Sequence, residues 1–136
     1  VEAALRALRP HCRGKLWCVF GSGGMRDAGK RPLMAELAER LADRVVITSD
    51  NPRDEDPLDI IDDVVAGLSR PDAATVIEDR AAAITWAVEQ ADDKDVVLIA
   101  GKGHEDFQQL GDENRPFSDY VVAEAVLAAA ARRGNK

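Results

Sequence analysis

The stretch VVITSDNPR, residues 45–53, changes character in its middle, and that change decides the fold class. Val45, Val46, Ile47 and Thr48 form an unbroken β-branched run, short and apolar on both faces, as a strand buried in a parallel sheet should be. Asp50, Asn51, Pro52 and Arg53 are polar turn formers, and Asp56-Pro57 behind them is a helix start with Asp56 as the N-cap. A strand that passes through a polar loop into a helix is the repeating unit of an open α/β sheet. In such sheets ligands bind beyond the carboxyl ends of the strands. A solvated connection uses the same turn residues, so this loop alone supports a structural reading as well as a functional one.

Working outward, the same alternation recurs on both sides. Upstream, Val1–Leu8 is a helical end with Ala4, Leu5 and Leu8 on one face, stopped by Pro10 and Gly14. LWCVF, residues 16–20, is a uniformly apolar strand that runs into GSGGMRDAGKR, residues 21–31, and Pro32 suits the first turn of the helix that follows. Leu33, Leu37 and Leu41, flanked by Met34 and Ala38, predict its inner stripe. Downstream, the helix capped by Asp56 carries Leu58, Ile61, Val65 and Leu68 inward, with Asp59, Asp62 and Asp63 facing water. Gly67 and Pro71 end it, and Ala74–Ile77 is a short strand. Asp79 caps a helix with Ala81, Ile84, Val88 and Ala91 inward and Trp86 at its edge. DVVLIA, residues 95–100, is another central strand and leads into GKGHED, residues 101–106. Phe107–Leu110 is a weaker strand, followed by the turn-rich GDENRP, a region able to support a short antiparallel piece. The last helix starts at Ser118 or Asp119, with Val122, Ala125, Val126 and Ala129 inward. Right-handed crossovers assemble this order into one domain spanning residues 1–136: α/β, three-layered and Rossmann-like, with a mostly parallel sheet that admits one antiparallel strand. The first helix opens without a cap, so the natural chain is expected to continue upstream.

Composition narrows the function classes. The 136 residues carry 18 Lys and Arg against 25 Asp and Glu, a net charge of -7, which repels nucleic acid and anionic lipid as a whole. There is no run of 18 apolar residues and no secretory signal in the sequence shown, so a membrane partner is not expected and a cytoplasmic setting is. Cys12 and Cys18 have no His-rich or CxxC context, and Cys18 lies within an apolar run; neither a zinc site nor a disulfide is expected. Against the acidic background, Arg26, Lys30, Arg31, Arg53 and Lys102 gather in or beside the loops that leave the strands.

Those loops define a chemistry. Residues 24–30 match the front of a Walker A loop, but Arg31 stands where a Ser or Thr would meet magnesium. Residues 21–26 begin like a dinucleotide fingerprint, but Arg26 stands where the third glycine belongs. What remains is a glycine loop whose backbone N–H groups, with Arg26, Lys30 and Arg31, suit a carboxylate or phosphate; the cations equally suit pairing with neighbouring acids. In the second loop Arg53 offers a planar fork for a carboxylate, Asn51 a donor and an acceptor, and Asp50 an acceptor for an ammonium group. In the third, Gly101 and Gly103 allow close backbone approach and Glu105 can receive an ammonium, while Lys102 and His104 suit an anion. No nucleophile and no metal cluster emerges. Such a set binds and orients a molecule bearing several carboxylates and amines.

GSGGMRDAGKRPLM, SDNPRDEDP and GKGHE, in this order at successive strand-end loops, resemble the carboxyl-terminal domain of the Mur ligases, the form that adds meso-2,6-diaminopimelate to the peptidoglycan stem peptide. The resemblance covers nearly the whole chain, and DNPR is its most telling part. It implies that Arg26, Asn51, Arg53, Gly101 and Glu105 contact diaminopimelate, with Asp50 supporting the DNPR turn, and that Arg53 and Asn51 hold the distal carboxylate end while Gly101 and Glu105 meet the distal amino group. Lys30, Arg31, Lys102 and His104 are carried as phosphate or loop support. It further implies an ATP- and Mg2+-dependent enzyme in which an acyl phosphate of UDP-N-acetylmuramoyl-L-alanyl-D-glutamate is attacked by the incoming amine. The nucleotide, metal and nucleotide-sugar sites belong to domains absent from these residues. The chain alone is therefore expected to need no cofactor and to be unable to ligate. A stand-alone α/β module for an acidic metabolite or partner is the alternative.

Overall fold

The computed structural model describes residues 2–22, 28–52, 54–100, 107–110, 113–116 and 119–132. Strands β1 (Leu16–Phe20), β2 (Arg44–Ile47), β3 (Thr75–Val76) and β4 (Val96–Ile99) form a parallel sheet in the order β3-β2-β1-β4. In its centre Cys18 stands between Val45 and Leu98. Successive side chains point to opposite faces of a strand. Leu16, Cys18 and Phe20, with Val45 and Ile47, therefore face the layer made by α1 (Glu2–Leu8), α2 (Arg31–Leu41) and α3 (Pro57–Val65). Trp17, Val19 and Val46 face the opposite layer, α4 (Arg80–Gln90) and α5 (Asp119–Arg132). The expected three-layer α/β architecture is present. Burial pushes the Cys18 thiol up to about 12, so it packs as a small apolar group.

The chain steps outward from β1 through β2 to β3 and then returns across β1 to place β4. That reversal lies between β1 and β4, the position at which doubly wound sheets open a crevice.

Details differ from the sequence-based reading. Helix α2 meets the sheet with Ala35 and Ala38, followed by the buried Ala42 just past its end, and Leu33 is 56% exposed. Alanines let the helix backbone come close to the strands and to α3, where a Cβ on Gly67 would overlap the carbonyl of Pro32. Helix α3 turns Ile60, Ile61 and Val64 inward and leaves Leu58 at the surface; an Arg31–Asp63 ion pair of 2.9 Å on its flank fixes this roll. The fully buried stripe of α4 is Arg80, Ala83, Ile84 and Ala87, continued by Ala91 just past its end; Val88 packs against it half-buried, Ala81 is not part of it, and Trp86 packs edge-on to Trp17 with ring centroids 5.8 Å apart. In α5 Val126 is buried and Ala125 exposed. Residues 113–116, expected as part of a turn, form β6 (Glu113–Pro116), which pairs antiparallel with β5 (Phe107–Leu110) in a separate hairpin.

Both expected N-caps form: Asp56 accepts from the Leu58 N–H at 2.9 Å and Asp79 from the Ala82 N–H at 2.9 Å. Each fixes the start of a helix just after the chain has left the carboxyl edge of the sheet.

Candidate functional site

At the carboxyl edge the ladder continues past the strands and brings the loop entrances together. The Thr48 N–H donates to Phe20 O and the Ala100 N–H to Val19 O, each at 2.9 Å, so the exits of β2, β1 and β4 lie side by side. The Thr48 hydroxyl and the Ser49 N–H both donate to Glu78 O, at 3.0 and 3.2 Å, which joins the exit of β3 to them. Gly21 is required here: a Cβ would overlap Thr48 O and crowd the Ser49–Asp50 backbone.

The second loop does not behave as a wet connection. Thr48, Ser49, Asn51 and Pro52 are buried and Asp50 is half-buried. Buried polar side chains at a strand exit must be held by partners, which rigidifies the loop. Of the other residues singled out in the sequence, Arg26, Arg53, Gly101, Lys102, His104 and Glu105 lie outside the described residues.

Lys30 ends the turn Ala28–Lys30 and is exposed. Arg31, carried as phosphate or loop support, is only 2% exposed and engages carboxylates: Nη2 and Nη1 donate to Glu55 at 2.8 and 3.2 Å, and Nη1 donates to Asp63 at 2.9 Å. Hydrogen bonding to Glu55 above all, and then to Asp63, raises the Arg31 pKa despite burial. Glu55 follows Arg53 by two positions, so Arg31 ties the loop after β2 to the first turn of α2 and to α3.

A second buried arginine escaped the sequence reading. Arg80, 0% exposed, donates through Nε and Nη2 to the two carboxylate oxygens of Asp119 at 2.7 and 2.8 Å, through Nη1 to Ser49 O at 3.1 Å and through Nη2 to Ala100 O at 3.1 Å. It had a detectable signal: Arg80 falls on the stripe shared by Ala83, Ile84, Ala87 and Ala91, where a charge demands a buried partner.

The opposite edge carries carboxylates. Asp43 accepts from the Leu16 N–H and from Arg9, and Asp95 from the Lys15 N–H, the Asp92 N–H and the Trp17 indole. Burial works to raise both groups, but the backbone N–H donors, with Arg9 for Asp43, hold each below the ordinary carboxylate range. A cavity of about 210 Å³ there is lined by Trp17, Trp86, Arg44 and Asp95 among others. It lies at the amino ends of the strands, far from the loop exits just described.

Among the described residues no group of three or more His, Cys, Asp or Glu is arranged to hold a metal ion. Arg31 is committed to Glu55 and Asp63, so its guanidinium is already engaged by carboxylates. Among the same residues no helix is long and apolar enough to cross a membrane.

Fold and edge together define a doubly wound α/β domain in which the exits of β2, β1 and β4 lie side by side at the carboxyl edge. The chain belongs to the Mur ligase family: the family described as "Mur ligase, glutamate ligase domain" matches residues 1–103. It is 55% identical over 129 residues to the UDP-N-acetylmuramoyl-L-alanyl-D-glutamate–2,6-diaminopimelate ligase of Pseudomonas putida, covering 95% of this chain and 26% of that protein. The like-named ligase of Vibrio vulnificus is 54% identical over 127 residues, covering 93% of this chain and 26% of that protein. A solved structure of a ligase with the same name superposes with a TM-score of 0.91 at 42% identity, covering 96% of this chain and 27% of that one. The chain thus spans about a quarter of the length of the relatives it matches.

Proposed function

We propose that this chain is the amino-acid-holding domain of a cytoplasmic ATP-dependent ligase that joins meso-2,6-diaminopimelate to UDP-N-acetylmuramoyl-L-alanyl-D-glutamate in peptidoglycan synthesis. The observation that carries the reading is the convergence of three loop exits on one edge, with the Asn51-Pro52 pair of the DNPR loop buried. The activity named for the similar ligases supports it.

In this reading Arg53 and Asn51 hold the distal carboxylate of diaminopimelate, Arg53 through a bidentate fork that lysine could not supply. Gly101 and Glu105 receive the distal ammonium, Asp50 supports the DNPR turn and Arg26 adds a cationic contact. Lys102 and His104 support the third loop or an anion near it, as Lys30 does the first. ATP, Mg2+ and the nucleotide sugar bind outside these residues. This domain contributes orientation of the attacking amine, which removes an entropic part of the barrier. On its own it forms no amide bond.

The test is phosphate release by the natural protein with ATP, Mg2+ and UDP-N-acetylmuramoyl-L-alanyl-D-glutamate, comparing meso-diaminopimelate with L-lysine in the wild type and in Arg53→Ala. We expect strong dependence on diaminopimelate, largely lost in the variant. Equal use of lysine, or an indifferent variant, would remove the role given to Arg53. Activity with neither amino acid would favour a binding module for another acidic metabolite.

A further inference from the structure

We propose that Arg80 is a positioning residue for the amino acid: it sets, from behind the sheet edge, the separation of the two loops that grip the distal carboxylate and the distal ammonium of the substrate. The inference rests on the functional reading above. Ser49 O, which Arg80 holds at 3.1 Å, immediately precedes Asp50 and Asn51; Ala100 O, also at 3.1 Å, immediately precedes Gly101. These two carbonyls follow β2 and β4, which do not pair with each other because β1 stands between them. Within the sheet these strands lie two spacings, roughly 10 Å, apart, beyond the reach of any direct backbone bond; past the strand ends the two carbonyls come close enough for one guanidinium to hold both. Arg80 is the bridge across the end of β1.

The geometry uses the whole guanidinium. Nε and Nη2 are fixed by both oxygens of Asp119, the first residue of α5, and this leaves Nη1 and Nη2 aimed at the two carbonyls. A planar fork held on one side by a carboxylate has little freedom on the other, so movement of one loop exit is transmitted to its neighbour. A lysine ammonium at this position keeps the charge but cannot hold Asp119 bidentately and reach both carbonyls. Arg80 sits below the loops, wholly buried, and acts on the substrate through Ser49 and Ala100.

The experiment measures KM for meso-diaminopimelate, ATP and the nucleotide-sugar substrate in the natural protein, with Arg80→Lys and Asp119→Asn, at a temperature where circular dichroism shows each variant folded. For Arg80→Lys we expect KM for diaminopimelate to rise roughly tenfold or more, as misplacement of binding groups by about an ångström does, with the other two KM values unchanged. Asp119→Asn keeps the carbonyl bonds but loosens the fork, and should move the same KM in the same direction by less. It carries the test if Arg80→Lys does not fold. A lower melting temperature with an unaltered KM for diaminopimelate in the folded variants would overturn the proposal and leave Arg80 a purely structural residue. A wild-type protein that does not use diaminopimelate would overturn the functional reading, and this proposal with it.

Discussion

Where the parallel strands begin, the backbone presents N–H groups, and carboxylates take them: Asp43 at Leu16, and Asp95 at Lys15. Where the strands end, the backbone presents carbonyls, and a guanidinium takes two of them, Ser49 O and Ala100 O, through Arg80. The two edges of one sheet are therefore anchored by opposite charges. The anchors differ in surroundings too. Asp43 and Asp95 have exposed neighbours, whereas Arg80 and Asp119 are sealed between the sheet exits, α4 and α5. The amino edge is held by groups that titrate in acid. The carboxyl edge is held by arginines whose planar forks engage several acceptors at once.

The sharpest way to break this contrast is to remove the arginines. Arg80→Met would leave Asp119 buried without its cation and strand two carbonyls, and we expect a loss of about 3–5 kcal/mol. Arg31→Met should cost less, about 1–3 kcal/mol, because Glu55 and Asp63 keep 30% and 52% of their side-chain surface exposed and can turn to water. Urea denaturation of both variants checks the order. Equal losses would mean that burial of the partner is not what separates the two clamps.

A smaller effect sharpens the other side of the comparison. Asp43 and Asp95 have folded pKa values below their unfolded ones. The stability they contribute is therefore present above the unfolded value, near pH 4, and is lost as pH falls through the lower folded value. Melting temperature followed from neutral pH into acid should fall in that window, and Asp95→Asn should make the fall shallower. An unchanged acid profile in the variant would remove Asp95 from the anchoring role. Glu39, lowered by the backbone N–H groups of Ser69 and Arg70, adds to the same slope.

These anchors also mark what could be read from the amino-acid sequence. The strands were legible because LWCVF, VVIT and DVVLIA are short, apolar and bounded by turn residues, and the helix starts because Asp56 and Asp79 are good caps. Helix roll was not. Leu33 and Leu58 looked like core by spacing, but Ala35 and Ala38 allow closer packing and Arg31 pins Asp63, so the leucines face out. The loop exits were legible as a site because glycine, Asn51 and clustered cations stood out against an acidic chain. The clamps behind them were not, because Arg80 finds Asp119 thirty-nine residues away, a pairing that only the crossover of α4 and α5 creates. Hairpin β5–β6 was half visible: ENRP carries turn residues, and its strand character comes from pairing with Phe107–Leu110.

In the proposed function diaminopimelate is held at the carboxyl edge and not in the cavity at the amino edge. Nuclear magnetic resonance of this chain titrated with meso-diaminopimelate tests it most directly, with the Trp17 and Trp86 indole N–H signals as reporters of the cavity they line. We expect shifts in the amides of residues 20–22, 48–51, 53 and 100–105 with both indoles unmoved. Movement of the indoles with the DNPR amides at rest would contradict the account.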